Sequence, residues 1–359
     1  MSWEDGVRKV VPYVPGEQPK RAGIIKLNTN ENPYPPAPGV KKALEGLCYE
    51  RMRLYPDPES GELVEALAAY YGLSEKQVFV GVGSDDVLAL AFLTFFNKEK
   101  PILFPDITYS FYDVWADLFR IPFQRIPLDE TFRILPKDYI GRECGGIVIA
   151  NPNAPTGVAL PLSEVEKIIS ANRDVVVIVD EAYVDFGAES ALPLLERYEN
   201  LLVVQTFSKS RAMAGMRIGF ALGNEKLIGY LLDGRFSFNS YPMNRPALAA
   251  GAAAVRDDAY FREICDKIIR TRERVKQELG RLGFTFADSR TNFVFAAHEK
   301  VPAKEIFEAL KEKGVYVRYF AKPRIENYLR ITIGTDEEMD QMLFVLREYL
   351  EKSIYEYKK

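Results

Sequence analysis

The chain has 359 residues, 47% of them hydrophobic, and its 47 Lys and Arg against 51 Asp and Glu leave a formal charge of −4. That length suits one large domain plus a smaller one with a substantial core, and the mildly acidic balance argues against a nucleic-acid surface. No apolar stretch approaches the roughly 20 residues of a membrane helix, and the scattered Cys48, Cys144 and Cys265, without C-x-x-C spacing, argue against a disulfide framework or a zinc site.

After a proline-rich opening at Asn32-Pro33-Tyr34-Pro35-Pro36-Ala37-Pro38, apolar periodicity predicts a helix over residues 63–71 and a strand over 78–82. A helix over 85–96, a strand over 102–104, a helix near 111–119 and a strand over 146–150 follow. A helix over 163–171 then precedes strands ending at Val179 and Gln205. This alternation predicts an α/β fold with a mostly parallel sheet between helices. Beyond about residue 245 the character changes. An Ala-rich helix over 246–255 and a charged, periodic helix over 259–282 lead into a smaller α+β unit with strands near 292–296, 315–318 and 328–333. The expected organisation is an N-terminal arm (1–27), a large domain (28–245) and a small C-terminal domain (246–359).

Two strand ends carry chemistry. Val175-Val176-Val177-Ile178-Val179 is an uninterrupted β-branched run, of the kind buried on both faces of a parallel sheet, and it ends in Asp180-Glu181-Ala182-Tyr183. Leu201-Leu202-Val203-Val204-Gln205 ends in Thr206-Phe207-Ser208-Lys209. Ligands of such sheets collect beyond the carboxyl ends of the strands, which puts Asp180 and Lys209 where a ligand belongs. The small hydroxyls of Thr206 and Ser208, with Arg217 eight residues past Lys209, suit an amine that binds an aldehyde cofactor beside a phosphate. That cofactor would be pyridoxal 5'-phosphate (PLP). Asp180 would pair with its protonated ring nitrogen, and Tyr183 would hydrogen-bond its phenolic oxygen. Gly81-Val82-Gly83-Ser84-Asp85-Asp86 follows a strand and opens a helix, so its N–H groups would face an anion with the helix dipole behind them. The single histidine, His298, lies at the polar end of a strand-like run and reads as a solvated turn residue. Ser-His-Asp, Cys-His and most zinc chemistry would have to be built around it. Proton transfer then falls to Lys209, whose basicity drops beside a cationic cofactor.

Val179-Asp180-Glu181-Ala182-Tyr183, Ser208-Lys209 and Met216-Arg217-Ile218-Gly219-Phe220 together resemble the fold-type-I PLP aminotransferases. Leu27-Asn28-Thr29-Asn30-Glu31-Asn32-Pro33, Leu54-Tyr55-Pro56-Asp57-Pro58, Gly83-Ser84-Asp85-Asp86, Asn151-Pro152-Asn153-Ala154-Pro155-Thr156-Gly157 and Leu329-Arg330-Ile331-Thr332-Ile333-Gly334-Thr335 narrow the resemblance to the histidinol-phosphate aminotransferase family, in its order and over almost the whole chain. The resemblance implies PLP on Lys209 and amino transfer between L-glutamate/2-oxoglutarate and L-histidinol phosphate/imidazole acetol phosphate in histidine biosynthesis; with the cysteines scattered and one histidine, no metal is expected. It also implies a homodimer with shared active sites. A cytoplasmic setting is expected, since Met1-Ser2-Trp3-Glu4-Asp5-Gly6-Val7-Arg8-Lys9 lacks the apolar region of a signal peptide.

The same resemblance implies individual roles. Gly83, Ser84 and Asp85 belong at the cofactor phosphate, in a Gly-Ser-Asp-Asp turn that departs from the family's Gly-Ser-Asp-Glu while keeping its backbone role. Tyr109 stacks on the pyridine ring, and Tyr55 reaches the PLP phosphate across the dimer interface. Arg330 clamps the substrate α-carboxylate, Arg318 takes the distal anion, and Tyr13 contacts the substrate phosphate. Many relatives carry an asparagine before Pro-Thr-Gly that bonds the ring oxygen; here that position is Ala154, and either Asn153 takes over the bond or Tyr183 serves alone. Aromatic or broad-range aminotransferases and threonine-phosphate decarboxylase share the cofactor motifs and are the alternative activities.

Overall fold

Valine, isoleucine and leucine on successive positions of the central strands decide the architecture, because a strand that is apolar on both faces needs cover on both. The computed structural model describes residues 2–356. A short strand β1 (Ile25–Lys26) is followed by β2 (Val78–Gly81), β3 (Ile102–Pro105), β4 (Phe123–Ile126), β5 (Gly146–Ala150), β6 (Val177–Asp180), β7 (Leu201–Thr206) and β8 (Gly219–Gly223). The last seven form one sheet in the order β2-β8-β7-β6-β5-β3-β4. All run parallel except β8, which is antiparallel to both neighbours. The expected mostly parallel sheet is therefore present, with β4 and β8 added to the strands legible in sequence. Gln124 and Arg125 keep the β4 edge solvated.

Alternation distributes the core. Val177, Val179, Ile149 and Val203 face one side with Leu63, Val165, Ile168 and Ala247. Ile178, Val148, Leu202 and Val204 face the other with Val87, Leu88, Tyr112, Trp115 and Ile228. The reversal of β8 has a local consequence. Its register pairs Thr206 with Gly219, so residues 207–218 form an excursion that leaves and re-enters the sheet at one point, carrying Lys209 and Arg217 to the same end. Gly219 is required there because a Cβ would collide with the backbone of Gly83 and Ser84.

The smaller unit adds β9 (Phe284–Phe286), β10 (Phe293–His298), β11 (Val315–Tyr316), β12 (Arg318–Tyr319) and β13 (Leu329–Thr332). An antiparallel sheet β12-β13-β10-β9 packs on the helices Asp258–Arg281, Ala303–Glu312 and Asp336–Glu356 through residues such as Ile268, Val275, Ile306, Met339 and Leu346. The single strand expected over 315–318 is two strands in two sheets. Val315–Tyr316 runs parallel to β1, whereas Arg318–Tyr319 pairs with β13, and the change of sheet falls at buried Val317. We propose the division into a large unit over 28–245 and a small one over 246–359. Across that border the helix Arg245–Arg256 packs on the large unit's side, its Ala247, Ala250 and Val255 sharing a core with Leu63 and Leu67.

His298 is not a solvated turn residue. The period of two along β10 puts it on the face of Val294 and Ala296, where it is 3% exposed. Its Nδ1 accepts from the N–H groups of Lys300 and Val301 at 3.2 and 3.0 Å, which leaves Nε2 to donate to the Leu282 carbonyl at 2.9 Å. Burial lowers its pKa, so this ring is a neutral structural link.

Candidate active site

The carboxyl ends of β6 and β7 open into a cleft of about 430 Å³ between the two units. Its lining includes Tyr13, Ser84, Asp85, Tyr109, Asp180, Tyr183, Thr206, Ser208, Lys209, Arg217, Arg318 and Arg330, twelve of the residues singled out in sequence. Gly83 lies just behind. At φ +85° it begins the helix Ser84–Phe95, and a Cβ there would collide with the Arg217 guanidinium. The first-turn N–H groups of that helix have no intrahelical partner and are free for an anion.

Around this helix end the donors cluster. Thr206 Oγ1 bonds Ser208 Oγ at 3.0 Å and accepts from the Ser208 N–H at 3.1 Å. Arg217 reaches Ser208 Oγ at 3.5 Å and pairs with Asp85 Oδ2 at 3.1 Å, while Tyr109 donates to Asp85 Oδ1 at 2.8 Å. Lys209 Nζ donates to the Thr29 carbonyl at 3.1 Å. Burial, reinforced by the charges of Arg330 and Arg217, lowers its pKa from 10.5 to about 8. The backbone beneath it is fixed by Asn32 Nδ2, which donates to the carbonyls of Lys209 and Ser210 at 3.0 and 3.2 Å.

Asp180 is 4% exposed, and burial pushes its carboxyl up to about 6. Tyr112 donates to Oδ2 at 2.7 Å and the Ala182 N–H to Oδ1 at 3.2 Å. Among the described residues no cation pairs with it. A buried carboxylate without a counter-ion is expensive, and a protonated ring nitrogen would supply one. The chain thus offers PLP a cradle at Gly83–Ser84, a soft amine at Lys209 and an unpaired anion at Asp180, and these residues fit the group.

The small unit contributes two arginines to the lining. Arg318 and Arg330 are cross-strand partners on β12 and β13, so their side chains leave the sheet on one face. Among the described residues neither forms a salt bridge, and Arg330 Nε is buried without a partner. Arg330 also donates to the Asn28 carbonyl at 3.0 Å. Like charges placed opposite each other repel, so the pair is arranged for an anion with two acidic ends or two anions in turn. Tyr13 stacks on Phe111 at 4.2 Å beside them.

Two residues singled out in sequence lie elsewhere. Tyr55 is 77% exposed outside the cleft, stacked on Tyr241 at 4.7 Å. Asn153 is absent from the cleft lining, and its amide is used up. It accepts from Thr108 Oγ1 at 2.7 Å and donates to the Ile107 carbonyl at 2.9 Å and Thr156 Oγ1 at 3.0 Å. Ala154 lines the cleft in its place. Sequence reasoning gave no role to Tyr112, Asn30 or Asn32, though the last two lie in the quoted Leu27–Pro33 motif and only their roles were missed.

Sheet order, cleft position and the added small unit define a fold-type-I α/β transferase. The sequence model for aminotransferase class I and II matches residues 22–346. A histidinol-phosphate aminotransferase of Lactococcus lactis subsp. cremoris is 52% identical over 98% of each chain, and one of Marinomonas sp. is 56% identical over 96% of this chain and 98% of its own. The crystal structure of the Sinorhizobium meliloti histidinol-phosphate aminotransferase in complex with pyridoxal-5'-phosphate superposes with a TM-score of 0.83 at 27% identity, covering 91% of each chain. The chain belongs to the aminotransferase class I and II family, on the branch of the histidinol-phosphate aminotransferases, as the motifs imply.

Proposed function

We propose that this chain is a PLP-dependent aminotransferase interconverting L-histidinol phosphate plus 2-oxoglutarate with imidazole acetol phosphate plus L-glutamate, a step of histidine biosynthesis. The observation that carries it is the facing pair Arg318 and Arg330, uncompensated by any described carboxylate and lining the same cleft as Lys209 and Asp180. Gly83, Ser84, Thr206, Ser208 and Arg217 hold the cofactor phosphate, Tyr109 covers the ring face, and Asp180 keeps the ring nitrogen protonated. PLP supplies an electron-poor ring that accepts the electron pair left at the substrate Cα. Lys209, an amine of pKa about 8, would take the Cα proton and deliver it to the cofactor's C4′ carbon, on the far side of the bridging nitrogen. Aminotransfer of this kind is a two-stage, ping-pong cycle, and one pocket must hold two unlike substrates in turn.

Arg318 meets the anion common to both, the γ-carboxylate of glutamate or the phosphate of histidinol phosphate, while Arg330 clamps the α-carboxylate that only glutamate has. Arg318→Gln should therefore weaken both half-reactions. A hydrogen bond to a charged group contributes roughly 1.5–3 kcal/mol, which corresponds to about ten- to more than a hundredfold in each kcat/KM. Arg330→Gln should impair the glutamate half-reaction by a similar factor and largely spare the other. Single-turnover rates with each substrate separate the two. An Arg318→Gln protein with normal histidinol phosphate turnover would place the phosphate elsewhere and sink this assignment.

The assembly we propose is a homodimer in which Tyr55 completes the partner's phosphate pocket. It rests on Tyr55 standing exposed and unused by its own cleft, stacked on the likewise exposed Tyr241 and next in the chain to exposed Leu54. Sedimentation at working concentration should give at least a dimer, and Tyr55→Phe should weaken PLP retention. A fully active monomer would contradict it. Among the described residues no helix is long and apolar enough to cross a membrane and no group of His, Cys, Asp and Glu is placed to hold a metal. The proposed setting is the cytoplasm.

A further inference from the structure

A hydroxyl delivers its proton to a ligand dependably only when its neighbours ask it for none. Tyr183 lines the cleft with its ring edge-on to Phe293 at 5.2 Å, and its oxygen accepts from Asn30 Nδ2 at 2.8 Å. Thr332 fixes which end of the Asn30 amide faces the tyrosine. The Asn30 backbone N–H donates to Thr332 Oγ1 at 3.1 Å, and that hydroxyl donates its own proton to Asn30 Oδ1 at 3.0 Å. The amide oxygen is thus occupied, and the NH₂ group, which has no lone pair to offer, is turned to Tyr183. Asn292 Nδ2 donates to the Asn30 carbonyl at 2.9 Å, and Asn30 sits at φ 57°, a left-handed conformation that asparagine tolerates. On the neighbouring wall, Ala154 brings no polar side-chain atom to the cleft and the Asn153 amide is spent.

We propose that Asn30, locked by Thr332, is a positioning residue that fixes the polarity of the Tyr183 hydroxyl, so that its proton is directed to the phenolic oxygen of PLP. The inference rests on the reading that PLP is carried by Lys209. A donor at that oxygen competes with the proton on the Lys209 nitrogen, and so lowers the pH at which that proton leaves. Arg330, Asp180 and Asp85 face Tyr183, and Arg330, Glu31, Asp85 and Arg217 face Lys209; substitution at Asn30 removes none of them.

The test is the pH titration of the absorbance of the PLP-loaded protein in two backgrounds. Tyr183→Phe should raise the midpoint by about one pH unit or more. Asn30→Asp keeps the shape but offers only acceptors, so it draws the Tyr183 proton to itself and should raise the midpoint at least as far. In the Tyr183→Phe background the same change should retain only the shift of its added charge, and the two shifts should differ by about one unit. Thr332→Val frees the amide without adding charge. It should give a smaller rise in the parent and none beside Tyr183→Phe, and it decides the matter if Asn30→Asp does not fold. Equal shifts in both backgrounds would overturn the proposal. A parent protein that binds no PLP at Lys209 would instead overturn the reading beneath it.

Discussion

Replacing Lys209 with alanine should abolish measurable amino transfer, a loss on the order of 10⁴-fold or more, since in the proposed cycle one side chain supplies both the anchor and the proton carrier. Its environment prepares it for both. At pH 7 an amine of pKa about 8 is neutral in about a tenth of molecules, roughly 300-fold more than an ordinary lysine at 10.5. Only the neutral amine attacks an aldehyde, so capture of added PLP by the cofactor-free protein should accelerate about tenfold per pH unit below pH 8 and level off above it. Borohydride treatment of the loaded protein followed by peptide mapping should place the label on Lys209. Label on another lysine, or a capture rate still climbing steeply beyond pH 9, would remove the assignment.

Asp180→Asn should keep the cofactor and lose most of the chemistry. The groups proposed to hold the phosphate, at Ser84, Thr206, Ser208 and Arg217, are untouched, so PLP binding should survive with weakened affinity. What disappears is a buried negative charge that Tyr112 and the Ala182 N–H hold in place, charged while the ring nitrogen is protonated against it. Loss of one preorganised electrostatic contact of this kind costs about 10²–10³ in rate, and a similar fall in kcat is expected for both half-reactions. Turnover within tenfold of the parent would show that ring protonation does not limit the reaction.

The local part of this design is plain in the sequence. A strand buried on both faces must be apolar throughout, so Val175–Val179 and Leu201–Gln205 are visible as runs, and the polar residues that end them are the ligand-facing ones. Arg318 and Arg330 are picked out by the family resemblance, but their pairing across β12 and β13 depends on a register that no single segment encodes. The contacts that tune the site join distant positions. Asn30 meets Tyr183 across 153 residues and Tyr112 meets Asp180 across 68, and each reads in isolation as a turn residue or a core aromatic. His298 misleads for a different reason. The polar Glu299 and Lys300 beside it resemble a turn, while the alternation of β10 turns its ring inward. Asn153 is misread because its amide already satisfies Ile107, Thr108 and Thr156, a demand set by the fold rather than by the motif.

Mixing the PLP-loaded protein with L-histidinol phosphate alone, with no acceptor present, tests the central claim most directly. One amino group per active site should pass to the protein-bound cofactor with release of one equivalent of imidazole acetol phosphate, and later addition of 2-oxoglutarate should restore the starting absorbance and yield one equivalent of L-glutamate. No ketone product from histidinol phosphate, together with full discharge by an aromatic amino acid or carbon dioxide release from threonine phosphate, would contradict it.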